Sequence, residues 1–170
     1  GPQSPLWGKL RPYQRLSIER LREGRVEGHM KQILVAPTGS GKTLTSAALM
    51  DEARLVGSKT AFVVDRRSLV HQASDALKDE GIPHGVIMAG ERDRYRPDEL
   101  IQVCSAQTLE AQGAFPDLKL LIVDECHGMR KQIIEFIQSR DRMTTIGLTA
   151  TPFTKGLAKV YSNVVSVVTT

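Results

Sequence analysis

The sequence predicts a doubly wound α/β fold: a mostly parallel central sheet with helices on both faces. Apolar strand-like runs alternate with helical-period segments along the whole chain, with no repeats or low-complexity linkers. Those runs are continuously apolar, as expected for strands covered on both sides. The residues able to do chemistry cluster where the runs end, which is where open α/β sheets bind ligands.

At 170 residues this is one domain, long enough to bury a core without disulfide or metal staples. Its 41% apolar and 25% charged residues are those of an ordinary globular chain. A net charge of +4 suits a polyanionic partner without demanding one. Cys104 and Cys126 form no CxxC or Cys/His metal spacing, so free thiols in an intracellular chain, cytoplasmic, nucleoid-associated or nuclear, are expected. No 18-residue apolar run and no signal peptide is evident, so neither membrane spanning nor secretion is expected. Gly1-Pro2 has the look of a remnant of tag removal. Residues 1–9 are therefore set apart as an extension, and residues 10–170 form the domain.

In order, Leu10-Arg11-Pro12-Tyr13-Gln14 opens a charged helix with Pro12 in its first turn, fading near Gly24 or Gly28. Its arginines, Arg15, Arg20, Arg22 and Arg25, are equally those of a solvated amphipathic helix. Gln32–Val35 is the first strand, and a helix carrying Leu44, Ala47, Ala48 and Leu55 on one face stops at Gly57. Thr60–Val64 is a strand, followed by a helix capped by Ser68 and ended by Gly81. Val86–Met88 is a short strand candidate, and residues 91–97 form a charged surface loop. Ile101–Cys104 is a strand leading into a polar turn, Ser105-Ala106-Gln107-Thr108. Leu118–Val123 is a strand ending at Asp124-Glu125-Cys126-His127; the next helix packs Met129, Ile133, Phe136 and Ile137. Thr145–Leu148 is the last core strand, ending at Thr149-Ala150-Thr151-Pro152.

Between the first strand and its helix stands Ala36-Pro37-Thr38-Gly39-Ser40-Gly41-Lys42-Thr43. Strand, glycine-rich loop, Lys-Thr and helix together make a phosphate-binding loop. Glycines let backbone N–H groups turn inward onto a phosphate, and the helix adds its positive end. Lys42 supplies a point charge to the β- and γ-phosphates, and Thr43 a hydroxyl to a magnesium ion. Ala36 replaces the usual first glycine, at the outer edge of the loop. Asp124 would hold the metal and Glu125 polarise an attacking water. Apart from the loop, the same two acids would serve as ordinary partners of a helix dipole. His127 lacks a second His or Cys at ligand spacing, so a hydrogen-bonding role suits it better than metal binding.

In order the chain carries LRPYQ, APTGSGKT, VVDRRSLVHQ, VCSAQTL, VDECH and GLTATP. Together these resemble the first RecA-like, P-loop NTPase domain of a superfamily 2 DExH-type helicase or translocase, over nearly the whole chain from Leu10. The tail Phe153–Val165 is similar to the branch containing restriction-enzyme subunits and phage or repair DNA helicases. The resemblance implies ATP and Mg²⁺ as cofactors, with Gln14 reading adenine, Arg11 and Tyr13 shaping its pocket, and Thr38, Gly39, Ser40, Gly41, Lys42 and Thr43 on the phosphates. It implies Lys42, Asp124, Glu125 and His127 as catalytic, with Thr43 and Asp124 at the metal, and Thr149 and Thr151 coupling ATP state to domain movement. Arg66, Arg67, Ser105, Gln107 and Thr108 are implied in nucleic-acid backbone contacts, DNA favoured over RNA. These residue types suit phosphate contacts that position a strand without reading it; Arg66 and Arg67 also suit plain solvated loop charges. The second RecA-like domain, which supplies an arginine finger in this family, is not matched in these 170 residues. The chain alone is therefore expected to bind ATP and nucleic acid weakly, turn over slowly and unwind nothing. An RNA helicase and a nucleotide-gated binding module remain the alternatives.

Overall fold

The computed structural model describes residues 3–36, 40–112, 115, 117–128 and 130–167, with backbone alone for 40 and 110–112. Among them, seven strands form one parallel sheet: β1 (Lys31–Val35), β2 (Thr60–Val64), β3 (Gly85–Ile87), β4 (Ile101–Ser105), β5 (Leu120–Val123), β6 (Thr144–Thr149) and β7 (Asn163–Val165). Their spatial order is β3-β4-β2-β5-β6-β1-β7. The helices are α1 (Pro12–Val26), α2 (Ser40–Leu55), α3 (Arg67–Asp79), α4 (Ala106–Gln112) and α5 (Lys131–Gln138). The expected α/β architecture is the one observed.

Strand periodicity explains the two layers. Successive side chains point to opposite faces, so Leu34, Phe62, Val64, Val103, Leu120 and Ile122 pack with Ile18, Leu21, Ala48, Val70 and Leu77 of α1, α2 and α3. Ile33, Ala61, Val63, Cys104, Leu121 and Val123 pack on the other face with Leu109, Ile133 and Ile137 of α4 and α5. β1, β2, β4 and β5 feed both cores, and each buried Leu, Ile or Phe contributes roughly 1.5–3 kcal/mol by leaving water. Registry then sets the carboxyl ends side by side: Val35 lies opposite Thr149, Val123 opposite Gly147, and Val63 opposite Val123. The site is built on that edge.

The structure departs from the sequence reading in a few places. The polar segment after β4 is the first turn of α4, where Thr108 N–H donates to Ser105 Oγ at 3.3 Å. Ser68 lies inside α3; Arg66 takes the N-cap, with extended backbone and no side-chain cap bond. The tail forms an unforeseen edge strand, β7, because three residues with a polar first member leave no periodicity to read. Asn163 Nδ2 donates to Gln32 Oε1 at 2.7 Å, and buried Gln32 donates from Nε2 to the Leu21 carbonyl at 2.8 Å. One amide thus ties β7, β1 and α1 together. Residues ahead of Leu10 also join the packing: Ser4 Oγ donates to Asp51 at 2.6 Å, and Leu6 is buried. In α5, Ile133 and Ile137 are buried and Phe136 is half-buried, whereas Met129 lies outside the described residues. Among the described residues, no helix is long and apolar enough to cross a membrane.

His84, buried beneath α3, accepts from Ser74 Oγ at 2.6 Å and donates to the Ile82 carbonyl at 2.8 Å. Burial, reinforced by Arg96 and Arg94 and opposed by the Ile82 carbonyl, holds its pKa below the usual 6.5. The unfolded chain therefore takes up a proton there before the folded one does, and stability is lost as pH falls below 6.5. Melting temperatures measured from about pH 7.5 down to about pH 5 should fall more steeply for the native chain than for His84→Gln. Parallel curves would contradict this neutral, buried role.

Candidate functional site

The site lies at the carboxyl ends of β1, β6 and β5, neighbours in that order. β6 stands between the other two, and this determines how they communicate. Gln14 in the first turn of α1 is buried and uses both ends of its amide. Its Oε1 accepts from Arg11 N–H at 2.7 Å, and its Nε2 donates to the Gly41 carbonyl at 2.8 Å. The start of α1 is thereby fastened to the start of α2. One N–H and one lone pair of the amide remain for a further partner. Gly41 is required by close approach, since a Cβ there would stand 2.5 Å from the Tyr13 hydroxyl. Arg11 and Thr43 are exposed on this same edge. Thr38 and Gly39 lie outside the described residues, as does the side chain of Ser40.

Lys42 is the centre of the site. Its Nζ donates to Asp124 Oδ1 and to Glu125 Oε1, each at 2.9 Å. Burial pushes the ammonium pKa down, but the two carboxylates outweigh it and leave the pKa above the usual 10.5. Charge is thus retained at neutral pH. Asp124 continues β5, its N–H donating to the Val63 carbonyl at 2.9 Å. Glu125 then adopts a left-handed backbone with φ of 51°, unusual for a residue with a Cβ and costing on the order of 1–3 kcal/mol. The turn bends the chain sharply off the strand, with the Glu125 carboxylate against Lys42.

The turn also delivers His127 to β6. Its Nδ1 lies 2.9 Å from Thr149 Oγ1 and 3.5 Å from Glu125 Oε2. Thr149 Oγ1 accepts from Thr151 N–H at 3.0 Å and lies 3.2 Å from Thr151 Oγ1. The Thr149 carbonyl accepts from Ala36 N–H at 2.9 Å, so the end of β6 also touches the entry to the phosphate loop. Four sequence-derived residues, Glu125, His127, Thr149 and Thr151, form one chain of polar contacts.

Behind it lies a pair that sequence reasoning missed. The Tyr161 hydroxyl hydrogen-bonds the Cys126 thiol, and both are buried. Burial first, then the nearby carboxylates, pushes the thiol up to about 12, which makes Cys126 inert packing. A Cβ on Gly147 would stand 2.7 Å from that hydroxyl and 2.8 Å from the sulfur, hence a glycine in the middle of β6. No motif links Tyr161 to Cys126 in sequence.

The implied nucleic-acid residues gather at the ends of β2 and β4, apart from this centre. Arg66 and Arg67 are exposed, and Arg67 Nη2 donates to the Ala89 carbonyl at 2.5 Å. Gln107 is exposed. Ser105 and Thr108 are buried and bond each other at 3.0 Å, so their hydroxyls hold the β4–α4 turn together. Gly90, with φ of 83°, lies close to the Arg67 guanidinium, and Arg92 is exposed further along the same loop.

The chain is similar to known proteins over most of its length. The family model of the type III restriction enzyme res subunit matches residues 8–154. The chain is 32% identical over 135 residues to the type I restriction enzyme EcoKI endonuclease subunit of Escherichia coli K12, covering 69% of this chain and 11% of that protein. It is 28% identical over 152 residues to the DNA 3'-5' helicase XPB of Kineococcus radiotolerans, covering 84% of this chain and 26% of the relative. The chain thus spans a small part of the curated relatives it matches. The crystal structure of the UvsW helicase from bacteriophage T4 superposes with a TM-score of 0.76 at 22% identity, over 92% of this chain and 59% of that one.

The polar chain at β6 predicts a measurable coupling. Thr149→Val and His127→Ala should each lower unfolding free energy by about 0.5–1.5 kcal/mol in urea. The double variant should lose less than the sum, because both singles break one bond. Strict additivity would show that the His127–Thr149 contact carries no energy.

Proposed function

The chain belongs to the type III restriction enzyme res subunit family as an N-terminal RecA-like domain of the superfamily 2 helicases, and we propose that it is the ATP-binding half of a motor that moves on DNA. The observation that carries this reading is Lys42 held between Asp124 and Glu125, three side chains from two strand ends meeting beside the phosphate loop. That arrangement suits a triphosphate. Lys42 would exchange its carboxylate partners for the β- and γ-phosphates, and Asp124 and Thr43 would hold a cation.

The donor set fits Mg²⁺, which prefers hard oxygen ligands and takes one or two from protein beside phosphate oxygens. Among the described residues there is no cluster of three or more His, Cys, Asp or Glu that could hold a metal ion. When bound, the ion would neutralise charge on the phosphates. Glu125 would orient and polarise the attacking water, with His127 steadying its carboxylate. Gln14, with one N–H and one lone pair unspent, would read adenine beside Arg11 and Tyr13. Thr149 and Thr151 would pass the state of Glu125 towards a partner domain. That partner, a second RecA-like domain, would bring an arginine finger, worth about 10³–10⁵ in rate.

DNA is favoured because the named relatives include a DNA 3'-5' helicase and a restriction enzyme endonuclease subunit. Arg66, Arg67 and Gln107 supply exposed donors for a phosphate backbone; Ser105 and Thr108 would support them from beneath. An RNA-directed motor and a nucleotide-gated binding module are the competing readings, and intact Lys42, Asp124 and Glu125 argue against the second.

In the whole protein, Glu125→Gln should retain ATP binding and lose at least about 100-fold in hydrolysis. Undiminished hydrolysis would remove Glu125 from the chemistry. ATPase rates should rise more with DNA than with RNA, and greater stimulation by RNA would overturn the DNA assignment. The 170-residue chain by itself should show little nucleic-acid-stimulated ATPase if the arginine finger is supplied by a partner domain; robust stimulated turnover would contradict the half-site reading.

A further inference from the structure

We propose that the groove beside Arg67 is a single-strand reading site in which Tyr95 stacks on an unpaired base. The proposal rests on the nucleic-acid reading above and specifies the form of the strand. The groove has a volume of about 420 Å³, enough for one nucleotide unit. Arg67 and Gln107 supply exposed cationic and amide donors to its lining. Met88, Glu91 and Tyr95 line it from the loop that follows β3.

Tyr95 is 56% exposed, a large aromatic surface left to solvent in a charged loop. Its loop is tied down on both sides. Val86 N–H donates to the Arg94 carbonyl at 2.7 Å, and Arg94 pairs with Asp75 at 2.7 Å. Glu91 accepts from Arg94 N–H at 3.2 Å and lies 3.1 Å from His71 Nε2. Arg67 holds the loop's other end through the Ala89 carbonyl. A ring carried on so well-anchored a loop loses little freedom when a base lies on it.

Arg67 and Gln107 offer donors to a phosphate backbone, and Met88 and Tyr95 offer an apolar surface to the base. A duplex keeps its bases stacked inside and offers Tyr95 no open face. Stacking of this kind tolerates any base, because every base has a π-face.

The test is fluorescence anisotropy of the 170-residue chain with three dye-labelled probes: a single-stranded oligodeoxynucleotide, the same length of abasic strand, and a duplex. The native chain should bind the base-bearing strand about 5- to 100-fold more tightly than the abasic strand. Tyr95→Ala should erase that preference while leaving abasic affinity unchanged, and Tyr95→Phe should keep it. A preference that survives Tyr95→Ala, equal weakening of both strands, or duplex binding as tight as single-strand binding would overturn the stacking assignment and leave the nucleic-acid reading standing. Absence of binding to all three probes would overturn both. Because Tyr95 is half exposed, the alanine variant should melt with the native chain, and Tyr95→Phe controls for packing.

Discussion

The Lys42 ammonium between Asp124 and Glu125 is the interaction on which the rest of the site depends. It joins α2, which follows β1, to the end of β5, two elements separated in the sheet by β6. Two carboxylates side by side without that cation would repel each other. Glu125 also sits in a left-handed backbone that costs free energy. Strain of that size persists when the surroundings determine it, and here Lys42 on one side and His127 on the other do so. The sheet supports the arrangement through its register, which pairs Val35 with Thr149 and Val123 with Gly147.

β6 then acts as more than a spacer. Its last residue touches both halves of the site, through its carbonyl to Ala36 and through its hydroxyl to His127. A change at Glu125 therefore has a short polar path to Thr151 and to the segment that follows, where Phe153 is 95% exposed. The Cys126–Tyr161 pair closes the same region from beneath.

Much of this was legible in the sequence because it rests on local pattern. The apolar runs ending at Val35, Val64 and Val123 have one reading in a sheet covered on both faces, and glycine, lysine and threonine at fixed offsets have one chemistry. What stayed hidden depended on contacts between distant segments. β7 is three residues long and is a strand because Asn163 meets Gln32. Ser105 and Thr108 read as surface donors, yet folding turns their hydroxyls onto each other. Tyr95 in its loop had no signal at all, since a lone aromatic in a charged segment acquires meaning from the groove it lines. Roles for Thr38 and Gly39 rest on sequence alone.

The central claim is that Lys42 is the phosphate contact of an ATP site, and calorimetric titration of the chain with Mg-ATP tests it most directly. Binding should be measurable and weakened by about 10- to 100-fold in Lys42→Ala through loss of a charged hydrogen bond, while the variant stays folded. Equal binding by native chain and folded Lys42→Ala would contradict it.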